Sequence, residues 1–437
     1  MNKTIKLALL GSALALTAGP ASAEIYNLCA GATTIDLPDG SSVPMWGYAM
    51  DDNNDLSDGC GTGVVQIPGP RLTVTNDGIT TDGTLTINLQ NNLPVPTSIV
   101  IPGLPMPAGG PTWQDNSTGA RCANMTDYPD NCTAADLAKR VRSFGAEAAA
   151  SGGISSYGWT DVRPGTFIYH SGTYPQKQVY MGLAGPVTQD ADTLEAYTGV
   201  TYAQDIVLFY SDIDPAHNAA VAALDPDYTP IDYHASWFLV NGEPYSTDCS
   251  DGDTDTFDDL SGYPCASMEQ TPAIAAAAAK TPTLLRFLSA ASETHVPTLQ
   301  GMHMTIHAED GIPYTWEDTN PLAPDSGTAP REQYSVMLPP LKTKDAIIEP
   351  QLDGTYALYD GNGYMTNPTD PNDFDHQDPV GGMLRFLTVA ADGNLPPVGN
   401  PDAATVVEGN TITIDVLAND SDPEGQPLTI AAYSAAT

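Results

Sequence analysis

Apolar residues in this chain recur at every second position in short runs, and almost nowhere with the three-to-four-residue spacing of an amphipathic helix. Leu72-Thr73-Val74-Thr75 and Leu85-Thr86-Ile87-Asn88-Leu89 alternate strictly, which fits strands with one face in a core and the other toward water. The 39 glycines and 38 prolines cut the chain into pieces too short for long helices, so the pattern predicts an all-β protein of tandem β-sandwiches. Two stretches read instead as short helices. They are residues 134–141 and the alanine-rich residues 274–280, the latter bounded by Pro272 and Pro282.

Residues 1–23 carry Lys3 and Lys6, an apolar centre from Leu7 to about Ala18, and the small residues Ala21-Ser22-Ala23. That is the pattern of a secretory signal peptide, too short to span a bilayer, which takes roughly 20 apolar residues. The expectation is an exported protein that is secreted, periplasmic or at the cell surface, with no transmembrane segment. Without those 23 residues the chain holds 13 basic against 54 acidic residues, a formal charge of −41. Such a surface repels nucleic acid and anionic lipid and favours cationic or cell-surface partners. Six cysteines in an oxidising compartment predict disulfides. Cys122 with Cys132 and Cys249 with Cys265 are near in sequence, leaving Cys29 with Cys60, although the count alone leaves the pairing open.

The polar stretch 188–192 separates a first domain, 24–190, from a second, 195–392, and Asn394-Leu395-Pro396-Pro397 reads as a linker before a third region at 396–437. Asp251, Asp253 and Asp255 alternate with Asp258 and Asp259 close by, as in a loop presenting carboxylate oxygens to calcium. Asp420, Asp422 and Glu424 form a second acidic turn. His303 and His307 have the spacing of a helical metal pair, but Gly301 and Asp310-Gly311 bound them as a strand, where they stand about 13 Å apart at roughly 3.3 Å per residue. His217, His234, His295 and His376 have no ligand-spaced partner and read as ordinary surface or core residues.

Pro164-Gly165-Thr166-Phe167-Ile168-Tyr169-His170-Ser171-Gly172 resembles the end of the first cupredoxin domain of multicopper oxidases, where the run closes on two copper-binding histidines around a serine. Pro68-Gly69-Pro70-Arg71-Leu72, Asn91-Asn92-Leu93-Pro94, Thr97-Ser98-Ile99, Phe238-Leu239-Val240-Asn241-Gly242, Leu284-Leu285-Arg286-Phe287-Leu288 and the segment from Gly301 to Gly311 resemble further strands of that family. The resemblance covers roughly 30–390 and implies two cupredoxin-like Greek-key sandwiches. Residues 416–429, VLANDSDPEGQPLT, resemble bacterial cadherin-like and Ig-like repeats, and imply a partial β-sandwich with further domains expected beyond residue 437.

By that resemblance the ancestral activity is copper-dependent oxidation of a one-electron donor coupled to oxygen reduction. Of the four first-domain ligand positions only His170 is a histidine. Gly172 takes the second, and Val100, Ile101 and Pro102 replace the His-Trp-His motif. The first expectation is a degenerate scaffold or binding unit with His170 as a relic copper ligand. The alternatives are an active oxidase completed by a later cupredoxin domain beyond residue 437, and a calcium-dependent surface adhesin.

Overall fold

A computed structural model describes residues 24–51, 60–61, 63–76, 82–107, 111–115, 139–245, 277–278, 280–318, 325–368 and 381–390, with a few isolated positions between them and short pieces after 397. The first sandwich takes its strands from β1 (Glu24–Asp36), β2 (Ser42–Met50), β3 (Leu72–Val74), β4 (Gly83–Asn91), β5 (Gly153–Val162), β6 (Gly165–His170) and β7 (Ala184–Gln189). One sheet has the order β2-β1-β4-β5 and the other β3-β7-β6, with β1 parallel to β4 and β3 parallel to β7. The alternation expected for Leu85, Ile87 and Leu89 is present: all three are fully buried, while Thr86 and Asn88 are half-buried. They meet Trp46, Tyr48, Leu72, Phe167 and Val187 between the sheets. Burying side chains of this size contributes about 1.5–3 kcal/mol each, which is what holds two short-stranded sheets together.

The second sandwich uses β8 (Gln204–Ile213), β9 (Trp237–Val240), β10 (Thr283–Ser289), β11 (Pro297–Leu299), β12 (Met304–Glu309), β13 (Thr343–Ile348), β14 (Gly354–Asp360) and β15 (Leu384–Ala390). Its larger sheet runs β9-β8-β10-β13-β12 and its smaller one has β15-β14-β11. All seven residues of β10 are buried, because this central strand is covered on both faces. Leu285 and Phe287 enter the second core, while Leu284 and Leu288 pack in separate clusters, Leu288 with Ile168 of β6. The fold is all-β and cupredoxin-like.

Both predicted helices are corrected over the described residues 139–141 and 277–278. Lys139–Ser143 is a strand, antiparallel to Thr112–Asp115, and Ala277–Ala278 pairs parallel with Val389 and Ala390 of β15. Helix propensity is a weak local preference, and an available strand edge outweighs it. Residues 134–138, 274–276 and 279 lie outside the described residues.

The sandwiches meet through charge as well as apolar packing. Arg286 of β10 is fully buried; its guanidinium reaches Asp190 at 2.6 Å, Asp205 of β8 at 2.7 Å and the Thr166 hydroxyl of β6 at 3.1 Å. Thr166 donates to the buried Asp345 of β13 at 2.6 Å, and Arg71 donates to Asp205. Arg163 adds hydrogen bonds to the carbonyls of Gly103, Asp310 and Gly311. The two backbones approach so closely here that a Cβ on Gly165 would stand 2.5 Å from the Cα of Gly311. Cys29 of β1 and Cys60 form a disulfide with Cα atoms 5.2 Å apart; the other four cysteines lie outside the described residues.

Candidate functional site

His170 ends β6, and its backbone exchanges two hydrogen bonds with Val100, at 2.9 and 3.0 Å. Val100, in the segment where the resemblance led the His-Trp-His motif to be expected, therefore pairs with His170 through an isolated antiparallel bridge. A Cβ at Gly172 would stand 2.8 Å from Cγ1 of Val100 and 3.0 Å from the Ser98 hydroxyl, so a side chain there would require these neighbours to shift.

The imidazole of His170 is 3% exposed. Its Nδ1 lies 2.8 Å from the Ser171 carbonyl, and since a carbonyl only accepts, Nδ1 carries the proton. Nε2 is left as a bare lone pair, buried without a hydrogen-bond partner. Burial disfavours the imidazolium and lowers the pKa to about 4, against a small opposing effect of the Ser171 carbonyl. This is the tautomer that ligates metals, held at one nitrogen.

Behind Gly172 the interior is polar. Ser98 and Ser143 share a 2.7 Å hydrogen bond, and the Thr173 hydroxyl donates to Glu147 at 3.2 Å and lies 3.1 Å from the Ser98 hydroxyl. Thr97 and Ser171 both donate to Oε1 of Gln178, whose amide donates to the Pro96 carbonyl at 2.9 Å. Every hydroxyl in this set has a partner, so it stands as a satisfied network and not as an activated nucleophile.

The remaining predicted residues are scattered. His303 lies just before β12 and packs edge-on against Tyr334, while His307 sits within β12 where the register slips, an extended segment as the bounding turns suggested. Asp251, Asp253 and Asp255 lie outside the described residues, as do Glu424 and His376. Among the described residues no three of His, Cys, Asp and Glu come together as a group able to hold a metal ion.

Two histidines that looked ordinary in the sequence are tightly engaged. His295 is fully buried, its Nδ1 2.6 Å from Asp360, whose other oxygen accepts from the amides of Val296 and Asn362 at 2.9 Å. His217 lies among Tyr180, Tyr228 and Tyr233, with Nε2 donating to the Lys177 carbonyl at 3.1 Å and Nδ1 accepting from the Tyr228 hydroxyl at 2.8 Å. Burial lowers its pKa, the carbonyl contact opposing. Neither arrangement leaves a mark in local spacing, since His295 and Asp360 are 65 residues apart.

Comparison with solved structures places the fold. The blue copper oxidase from Nitrosomonas europaea superposes with a TM-score of 0.54 at 15% identity, over 84% of this chain and 85% of that one. The multicopper oxidase mgLAC gives 0.52 at 17% identity, over 84% and 86%, and a multi-copper oxidase from Pseudomonas thermotolerans 0.51 at 17%, over 85% and 64%. The fold is that of the multicopper oxidases. The bacterial Ig domain family matches residues 394–437. No curated protein matches the chain. Among the described residues no helix is long and apolar enough to cross a membrane.

Proposed function

We propose that this chain is an exported scaffold or binding unit built on the cupredoxin fold of multicopper oxidases, with the copper cluster of its first sandwich replaced by packing. The observation that carries the reading is the crowding around His170. Its Nε2 is buried with no hydrogen-bond partner, the paired residue Val100 carries no ligating atom, and a Cβ at Gly172 would stand 2.8 Å from Val100 Cγ1. One neutral imidazole does not make a copper cluster, which requires several histidines converging on each ion. The described residues therefore do not fit the copper set that the fold family uses, and no oxidation step is derived from them. Residues 1–23 and the acidic surface support export into a compartment where cations or cationic partners are met.

Copper loading tests this. The chain from residue 24 onward, incubated with Cu(II) and dialysed, is expected to retain less than one copper per chain by metal analysis and to show no blue absorption. Three tightly held coppers per chain would overturn the reading in favour of a working oxidase.

A further inference from the structure

Thr173 and Gln178 of the hydroxyl network also line a cleft of about 310 Å³ beside the short helix α1 (Pro175–Gln178) and the helix α2 (Pro215–Ala222). We propose that this cleft binds a small amphipathic carboxylate, with its apolar body between the walls and its carboxylate on Lys177 and Arg142. The walls are apolar: Trp46 of β2, Val95, Val221 of α2 and Leu224. A volume of this size lies at the lower end for small-molecule pockets, which join apolar walls to a few placed polar groups.

The cleft is richer in cations than the chain as a whole. Acids outnumber bases 54 to 15 in the whole chain, whereas at the cleft Arg142 and Lys177 match Asp225 of the lining and Glu147, which is paired with Arg142. The Arg142 guanidinium uses Nε and Nη2 on Glu147, which holds it in place and leaves its Nη1 edge for a ligand. Lys177 donates to the Tyr228 carbonyl at 3.0 Å and lies 5.4 Å from the centre of the Tyr228 ring, so it too is held at the cleft with further N–H groups to give.

The backbone between them is strained. Tyr174, a non-glycine residue at φ 40° and ψ 57°, donates its amide to the Arg142 carbonyl at 2.9 Å. Its own carbonyl accepts the amides of Lys177 and Gln178 at 2.7 and 2.9 Å. One left-handed residue thus ties the segments bearing both cations to a common point. Strain of this kind persists where the surroundings over-determine it, and it concentrates at ligand sites. The polar floor, Thr173 and Gln178, is already satisfied internally, so specificity falls to the two cations.

The test uses the whole exported chain and three probes of one shape: 3-phenylpropanoate, its uncharged amide and 3-phenylpropylamine. Calorimetry is expected to show saturable binding of the carboxylate, at least tenfold weaker binding of the amide, and none of the amine. Lys177→Met should weaken the carboxylate about tenfold and leave the amide unchanged. Leu224→Trp, at a position 46% exposed and so tolerant of a larger side chain, should abolish binding of both by filling the cleft. No saturable binding of the carboxylate, equal binding of all three probes, or full binding by the Leu224→Trp variant would each overturn the proposal. Copper at His170 does not enter these outcomes, so the ligand site and the proposed function fail or survive separately.

Discussion

Arg286→Met is expected to destabilise the protein by about 3–5 kcal/mol, the range for breaking a buried ion pair from one side. The guanidinium is fully buried, and Met fills much of its stem, so packing changes little. What is lost is the counter-charge to Asp190, Asp205 and Asp345. Burial alone would raise the Asp205 pKa, but the hydrogen bond from Arg71 and the charge of Arg286 outweigh it and hold that carboxyl below its ordinary value. Removing Arg286 leaves carboxylates from both sandwiches facing one another with only Arg71 between them. Chemical denaturation gives the measurement, and adding Asp205→Asn to Arg286→Met should recover a substantial part of the loss. If the single variant unfolds with the wild-type midpoint, the cluster does not hold the sandwiches together.

Acid should also destabilise the metal-stripped protein well before its carboxylates titrate. The folded pKa of His170 is lowered to about 4 by burial, from an ordinary value of 6.5. Between these values the unfolded chain takes up a proton that the folded chain refuses. The stability contribution is therefore fully present above about pH 6.5 and is lost as pH falls toward 4, which amounts to about 3 kcal/mol at roughly 1.4 kcal/mol per pKa unit. His217 and His307 are shifted down by burial as well and add to the same slope. Burial raises the Asp212 and Asp345 carboxyls, which works in the opposite direction just above their ordinary range. Comparing urea midpoints at pH 7 and pH 5 isolates the effect: His170→Gln cannot titrate and should show a clearly shallower fall. An identical fall in both proteins would mean that protonation of His170 is not what acid exploits.

Local chemistry made much of the fold readable. Alternation at 85–89 announces a half-buried strand because neighbouring side chains on a strand point to opposite faces, and Leu85, Ile87 and Leu89 do point into the first core. The turn after β9 is only partly local: Asn241 and Gly242 both take positive φ, as their residue types allow, but the Asn241 side chain bonds the backbone of Val207 and Phe209, more than thirty residues away. His170 is legible as a residue inside a recognisable strand end.

Pairing between distant segments was not readable. Residues 139–143 have the composition of a helix end and become a strand only because 112–115 offer an edge. Leu284 to Leu288 show no alternation because two different cores bury the two faces of β10, a fact of tertiary packing with no local trace. The His295–Asp360 contact and the Arg286 cluster join residues far apart in the chain, as does the cleft that collects Trp46, Arg142, Lys177 and Val221. The sequence by itself determined the strand content and the acidic charge, because each depends on residue type and near neighbours. Only the tertiary structure decided that Val100 pairs with His170, that Arg286 lies sealed between the sandwiches, and that two of the few cations line one cleft. Those outcomes depend on which surfaces exclude water together, and no local spacing encodes that.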